Sequence, residues 1–591
     1  MNSGIILHDS VAERWLCFRN PHRTFEVKAI PEVVPALELI EKLVNENNWY
    51  AAGFLCYEAA GAFDPAFRSY PAGGLPLLWF GLFPPPDTLD LPDPNYSSYS
   101  LGTPVSSVSR PEYGRAIERI KQYIRAGDTY QVNYTLRLQI PFSGDPWHLF
   151  LAMVRAQSPG FAAWLDLGRY AICSASPELF FRLEGNHLTC KPMKGTVKRG
   201  RTQGEDSSLA DWLHESEKNR AENLMIVDMI RNDLGRVAKA GSVQVRGMFE
   251  VERHPTLWQM TSTVSAECRE SVLGIMGALF PCASITGAPK IRTTHIIAEL
   301  ETGPRGLYTG CIGFIAPGRS AQFNVAIRTA VVDREKGQAE YGSGGGIVWD
   351  SAADDEYREA LLKARVLTER RPEFSLLETM LWTPDEGYFL LDYHLRRLSD
   401  SALYFNCPAD IGQIELRLAR QASGFPRAAQ RVRLLVSGTG ESVIEAASMN
   451  ESPESPVRLG LALNPVDSHD IFLYHKTTQR RIYETALASV CGCEDVLLWN
   501  ERGELTESSV ANVVLTIDGE LFTPPVDSGL LAGTFRALLL EKGTIRERVI
   551  TKDDLKQCSK IFLINSVRKW REAALQSPVA SSPQPGNVSC S

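Results

Sequence analysis

Apolar and polar residues alternate from Tyr130 through Val132, Tyr134, Leu136, Leu138 and Ile140, and this period of two predicts a strand. Just upstream, Tyr113, Ile117, Ile120 and Ile124 recur every three to four residues after Pro111, and Gly127 closes the run, so this segment reads as a helix. A second stripe of Leu224, Val227, Ile230 and Leu234 predicts a helix over 215–238, and a third helix is expected over roughly 353–370. Strand-like runs at 308–316 and 323–333 lie between them, without regular strand–helix alternation. That order predicts an α+β domain built mostly of antiparallel sheet. Residues 84–104, rich in Pro, Asp and Ser, read as loop. The pattern breaks near Arg370-Arg-Pro-Glu373 and restarts with Phe374–Met380 and Leu391–Leu398. After about 577 the chain is Ser, Pro, Ala and Gly rich, which predicts a disordered tail. The expected division is therefore 1–370, 371–576 and a tail over 577–591.

Composition narrows the function classes. A chain of 591 residues can form several domains, and 22% charged with 44% hydrophobic residues is ordinary globular composition. A net charge of -8 and no basic stripe exclude nucleic acid as the main partner. Met1–Asp9 has no basic run ahead of a long apolar one, so it does not read as a signal peptide, and no segment reaches the ~18 apolar residues of a membrane span. The 12 cysteines are scattered, with no C-x-x-C pair, and Cys491-Gly-Cys493 is too tight for an ordinary zinc site. A reduced, cytoplasmic protein without membrane contact is the expectation.

Candidate chemistry begins with Glu178 and Lys194, which flank a turn signal at Gly185-Asn186. A three-residue loop centred on Asn186 would place the two on one face of a hairpin, whereas a two-residue loop would place them on opposite faces. An acid and an amine that meet can divide chemistry, one protonating a leaving group while the other attacks; the alternative is a surface cross-strand ion pair.

The words around this pair occur in a fixed order: Pro192-Met-Lys-Gly-Thr196, Glu217-Lys-Asn-Arg-Ala-Glu-Asn-Leu-Met-Ile-Val-Asp228, Arg231-Asn-Asp-Leu-Gly235, Ile285-Thr-Gly-Ala-Pro-Lys290 and Gly344-Gly-Gly-Ile-Val348. Over about two thirds of the chain they resemble the chorismate-utilising enzymes, which include anthranilate, isochorismate and salicylate synthases and component I of aminodeoxychorismate synthase. The resemblance implies two large antiparallel sheets packed face to face. It implies Lys194 as a nucleophile on the chorismate ring and Glu178 as acid. Glu222 with Glu359, or with Glu356 one turn away, would hold Mg²⁺ against a substrate carboxylate. Arg328, Tyr308 and the backbone of Gly344 and Gly345 would bind substrate, and Lys290 is matched by its motif. Lys194 and Gln259 both depart from anthranilate synthases, which carry Ala and His at these places. With no glutaminase segment in view, ammonia would come from a separate glutamine amidotransferase subunit.

Downstream, His475-Lys-Thr-Thr-Gln-Arg-Arg481, Leu505-Thr-Glu-Ser-Ser-Val-Ala-Asn-Val513 and Gly529-Leu-Leu-Ala-Gly-Thr-Phe-Arg536 resemble the class IV pyridoxal-phosphate enzymes, an α/β fold. The resemblance implies that Lys476 carries pyridoxal 5'-phosphate, Glu507 faces its pyridine nitrogen, and Arg397 and Thr534 hold its phosphate. The family's usual opening is cut to Phe374-Ser-Leu-Leu-Glu-Thr379, so the small subdomain is expected to be trimmed or completed by contacts with the first half, and a homodimer through this half is a further expectation. The two resemblances together imply a fused aminodeoxychorismate synthase component I and 4-amino-4-deoxychorismate lyase making 4-aminobenzoate for folate synthesis. The alternatives are an amino-acid aminotransferase as second half, an isochorismate-type first half, or a non-catalytic scaffold for an amidotransferase.

Overall fold

The computed structural model describes residues 4–71, 73–368, 370, 372–449 and 456–576, so the tail expected over 577–591 lies outside the described residues. Two compact units emerge: Met1–Arg199 with Leu209–Arg371, and Gly200–Ser208 with Pro372–Ser591.

Two antiparallel sheets build the first unit. One runs in the order Gly287–Ala288, Gln131–Gly144, Gln338–Ile347, Thr329–Asp333, Tyr170–Ser176, Phe161–Asp166, Ile5–Asp9, Arg14–Phe18, Asp87–Leu89. The other runs Met193–Lys198, Leu257–Glu267, His187–Lys191, Leu179–Glu184, Ser320–Val325, Cys311–Ala316, Tyr50–Leu55, Leu78–Phe83, Arg23–Val27. Alternation along each strand splits its side chains between two cores. Phe54 joins Leu7, Phe18, Ile312 and Phe314 in the core between the sheets. Its neighbours Ala51 and Leu55 face Val33 and Leu37 of the helix Ile30–Asn47 and Ile226 and Ile230 of the helix Glu217–Gly235. On the outer side of the first sheet, Val132, Tyr134 and Leu136 pack on Tyr113, Ile117 and Ile120 of the helix Arg110–Arg125. The result is a helix–sheet–sheet–helix stack, each buried large side chain contributing about 1.5–3 kcal/mol of transfer free energy.

The helix Arg110–Arg125 starts as its sequence asks: Ser109 and Glu112 form a capping box, with Ser109 N–H donating to Glu112 at 2.9 Å. Four expectations change. Leu224 is exposed, since Asn223 and Ile226 take the buried stripe of its helix. The third helix is Ala353–Leu362, and a 3-10 turn over Lys363–Leu367 follows it. Residues 84–104 include the short strands Asp87–Leu89 and Tyr99–Leu101. The run 323–333 is two strands that belong to different sheets, broken at Ala326–Arg328.

The second unit holds a four-stranded sheet, Gly387–Tyr388, Leu376–Thr383, Gln430–Val436 and Ser442–Ser448, covered by helices Leu391–Phe405 and Ile411–Ala422. Its core of Met380, Leu398, Leu418 and Leu434 is its own, so the short opening does not leave this subdomain without a core. An eight-stranded sheet follows, with Val457–Leu461 parallel to both Asp495–Trp499 and Lys569–Leu575. The pair Glu507↔Asn512 joins Leu505–Ser508 to Asn512–Ile517, which closes six of the strands into a ring.

Candidate active sites

In the first unit the chain crosses between sheets at two adjacent places, and the predicted acid and arginine sit on them. Glu178 lies between Tyr170–Ser176 and Leu179–Glu184, and Arg328 between Ser320–Val325 and Thr329–Asp333. Val325 N–H donates to Glu178 O at 3.1 Å and Ala175 N–H to Arg328 O at 3.0 Å, so the crossings brace each other. Arg328 holds φ of 52°, a left-handed conformation that costs a side-chain-bearing residue about 1–3 kcal/mol and that clusters at functional positions.

The hairpin geometry resolves the parity question. Glu184 pairs with His187 across a two-residue turn, with Gly185 at φ 59°. By itself this turn would put Glu178 and Lys194 on opposite faces. The register slips between Leu179 and Arg182, where Phe180 and Phe181 oppose Cys190 alone, and this bulge resets the parity. Lys194 then follows on the separate strand Met193–Lys198, paired with Leu257–Glu267. Each group figures among the charges acting on the other. Burial pushes the Glu178 carboxyl up to about 7, against a hydrogen bond from Ser284 and the charge of Lys194. Its Oε1 is buried without a hydrogen-bond partner. Burial likewise lowers the Lys194 amine, opposed by Glu222 and assisted by Lys363.

The glycine run lies within the strand Gln338–Ile347 rather than in a loop ahead of it, paired with Gln131–Gly144. Space explains these glycines. A Cβ on Gly346 would stand 2.8 Å from Lys194 Nζ and overlap the Gln131 amide, and one on Gly345 would stand 3.3 Å from Glu356 Oε2. A Cβ on Gly344 would strike the Tyr134 carbonyl, and one on Gly342 the Tyr308 ring. The Gln131 Oε1 is buried and unpartnered.

Glu359 and Glu222 both act on the carboxyl of Glu356. Ser351 Oγ donates to Glu356 Oε1 at 2.7 Å, and burial together with Glu359 and Glu222 raises the Glu356 carboxyl. Burial also raises Glu359, but Lys363 outweighs it at 2.7 Å and holds that carboxyl below its ordinary value. Lys363 Nζ donates to Gly344 O at 2.9 Å, and its own carbonyl accepts from Arg328 at 2.9 Å and Tyr341 at 3.0 Å. Among the described residues no three His, Cys, Asp or Glu side chains stand close enough to cage a metal. The repulsion that Glu359 and Glu222 exert on Glu356 is what a divalent cation would relieve, so these carboxylates suit Mg²⁺ in chemistry.

Lys290 stands apart from these groups: its ammonium donates to Asp233 at 2.6 Å and to Leu279 O at 3.1 Å in a largely buried ion pair that ties two helices. A cavity of about 310 Å³ lies beside Arg137, Glu301, Tyr308 and Gly342, and neither Glu178 nor Lys194 lines it. Lys363 and Gln131 were missed from sequence; only the four-residue spacing from Glu359 to Lys363 could have signalled the former.

The second unit repeats the theme with different neighbours. Lys476 is anchored by its carbonyl, which accepts from Leu377 N–H at 2.9 Å. Burial and then Arg397 lower its amine to about 8. Burial pushes the Glu507 carboxyl up to about 7, yet both its oxygens are satisfied: Tyr483 O–H at 2.8 Å and Leu531 N–H at 3.1 Å on one, Asn512 at 3.2 Å on the other. Arg397 is held by the buried Glu378 at 2.6 and 2.9 Å and donates to Ala532 O at 3.2 Å. Burial alone would raise Glu378, but Arg397 and His394 hold it down to about 2. His394 bridges Glu378 at 2.6 Å and Thr534 Oγ1 at 3.3 Å. Thr534 is the first residue of the helix Thr534–Glu541, capped by Gly533, on which a Cβ would overlap Asn512 Oδ1. Helix N-terminus, arginine and hydroxyl fit a phosphate, and a buried carboxyl near 7 fits a cationic ring nitrogen, so the donors suit pyridoxal phosphate. Tyr483 carried no signal in the sequence, and the motif holding Glu378 gave no sign of its pairing with His394 and Arg397.

Residues 87–369 match the model of chorismate binding enzymes, and residues 375–575 that of class IV amino-transferases. The chain is 43% identical over 261 residues to aminodeoxychorismate synthase of Streptomyces griseus, covering 44% of this chain and 36% of that protein. It is 41% identical over 267 residues to aminodeoxychorismate synthase component 1 of Escherichia coli, covering 45% of this chain and 58% of that one. The chain thus spans about half, or less, of the length of these relatives. The fold of anthranilate synthase component I from Streptococcus pneumoniae superposes with a TM-score of 0.53 at 23% identity, over 62% of this chain and 93% of that one.

Proposed function

We propose that this chain, which joins a chorismate-binding-enzyme domain to a class IV amino-transferase domain, converts chorismate and ammonia to 4-amino-4-deoxychorismate and then to 4-aminobenzoate and pyruvate. The observation that carries the reading is Lys194, an amine lowered by burial beside Glu178, whose carboxyl near 7 has one unpartnered oxygen. In its neutral form Lys194 attacks ring carbon C2 of chorismate, the ring double bonds shift, and the C4 hydroxyl leaves as water with the Glu178 proton. Ammonia adds at C4, the double bonds shift back, and Lys194 departs. Arg328 and the strand around Gly344 and Gly345 hold substrate carboxylates, and Mg²⁺ on Glu222 with Glu359, or with Glu356, would neutralise one of them. Ammonia comes from a glutamine amidotransferase partner, and the product feeds folate synthesis in the cytoplasm.

In the second half, Arg397 and Thr534 would hold the cofactor phosphate and Glu507 its ring nitrogen; the cofactor, when bound, supplies an electron sink. Lys476 takes the proton from substrate C4, and pyruvate leaves as the ring becomes aromatic. Among the described residues no helix is long and apolar enough to cross a membrane.

The test is the product profile of purified protein given chorismate, Mg²⁺, pyridoxal phosphate and an ammonium salt. Equal yields of 4-aminobenzoate and pyruvate are expected. Anthranilate, or isochorismate formed irrespective of ammonia, would overturn the reading.

A further inference from the structure

Lys194 stands on a distortion of its strand. Met193 pairs with Thr261 and Thr196 with Gln259, so three steps on the Met193–Lys198 strand oppose two on Leu257–Glu267. The extra residue falls at Lys194-Gly195, a β-bulge of the kind that re-aims a side chain. Gly195 adopts φ of 92°, and a Cβ there would stand 3.0 Å from the Asn219 side chain, so only glycine fits.

One side chain closes this bulge from across the strand pair. Gln259 Nε2 donates to Gly195 O at 2.7 Å, and Gln259 Oε1 accepts from Thr196 Oγ1 at 3.1 Å. Gln259 is buried, so these bonds replace water rather than compete with it. A weaker hold comes from the helix Glu217–Gly235, where Asn223 Nδ2 lies 3.4 Å from Lys194 O and is itself fixed by Ser262 Oγ at 2.6 Å. The geometry points to Gln259 as the positioning residue of the first site: it clamps the bulge at Gly195 and Thr196 and thereby aims the Lys194 amine at the substrate ring. A primary amide does this with a donor and an acceptor at once and carries no charge at any working pH, whereas an imidazole would titrate near neutral pH.

This rests on the reading of Lys194 as nucleophile, and the test separates the two. Gln259→Met keeps the shape and loses both bonds; Gln259→Glu keeps the acceptor for Thr196 and loses the donor to Gly195 O. Chorismate amination by the full chain with an ammonium salt is followed against pH, with thermal unfolding as the check on folding. For both variants kcat should fall about 10²-fold, with KM for chorismate within about twofold, because a displaced reacting group costs rate rather than binding. The acid limb of kcat should move to higher pH as the freed amine reaches water and regains its proton more readily. Wild-type kcat and an unmoved limb in Gln259→Glu would overturn the clamp, and that variant decides if Gln259→Met fails to fold. Lys194→Ala is run alongside: wild-type amination there would overturn the nucleophile reading itself, while an inactive Lys194→Ala beside unimpaired Gln259 variants would remove the clamp alone.

Discussion

Each unit pairs a lysine lowered by burial with a buried glutamate held near 7, yet the two pairs are wired differently. Glu178 leaves one oxygen without a partner, while Glu507 has donors on both. The first arrangement suits a carboxyl that gives a proton away, since one of its oxygens is open to a reactant. The second suits a carboxyl kept in place as a fixed partner for a cation. Their lysines differ in the same sense. Lys194 sits at a bulge in its strand, with Glu222, Glu178 and Glu359 set against Lys363, whereas Lys476 has two cations, Arg397 and Arg480, that help to lower its amine to about 8 against Glu378 and Glu507. Similar burial thus yields different chemistry once the remaining hydrogen-bond valences are counted.

The strongest way to split the two sites is Lys476→Ala. Release of 4-aminobenzoate should cease, the absorbance of the protein-bound cofactor should vanish, and 4-amino-4-deoxychorismate should accumulate at an undiminished rate. Next in size are Glu222→Gln and Glu359→Gln. Each should collapse chorismate consumption at low Mg²⁺ while added 4-amino-4-deoxychorismate is still converted, which product assays on both substrates would read.

Glu178→Gln should lower amination about 10²–10⁴-fold, the range of a lost general acid. Because burial lifts this carboxyl to about 7, it is protonated below that pH and ionised above it. Amination by the wild type should therefore decline as pH rises past about 7, and the variant's residual rate should lack that decline. A smaller effect concerns cofactor loading. Lys476 must be neutral to bond the cofactor aldehyde, and its amine is lowered to about 8. Uptake of pyridoxal phosphate by the apo-protein should quicken with pH and level off above about 8, whereas the first site slows over the same interval.

Local pattern made the elements legible, and long-range geometry made the sites. The helix Arg110–Arg125 and the strand Gln131–Gly144 follow from periodicity and capping, because both signals lie within a few residues. The split of 323–333 between two sheets was not readable, since a strand that ends one sheet and a strand that starts the next share the same apolar alternation. That split is what puts Arg328 and Glu178 on adjacent crossings between the sheets. The acid and the amine were readable as types, but their meeting depended on a bulge at Leu179–Arg182 that no residue type announces. The pairings of Glu378 and His394 escaped notice because their partners Arg397 and Thr534 lie 19 and 140 positions away.

The central claim is that Lys194 bonds to the substrate ring while Lys476 does not. Wild-type protein, loaded with its cofactor, is incubated with chorismate and Mg²⁺ without ammonia, quenched and digested, and the masses of the two lysine peptides are measured. The peptide bearing Lys194 should carry the mass of chorismate less one water, in an amount that falls when ammonium is added, and the Lys476 peptide should carry none. An unmodified Lys194 peptide, together with near-wild-type amination by Lys194→Ala, would contradict the account and leave Lys194 as a partner of nearby carboxylates.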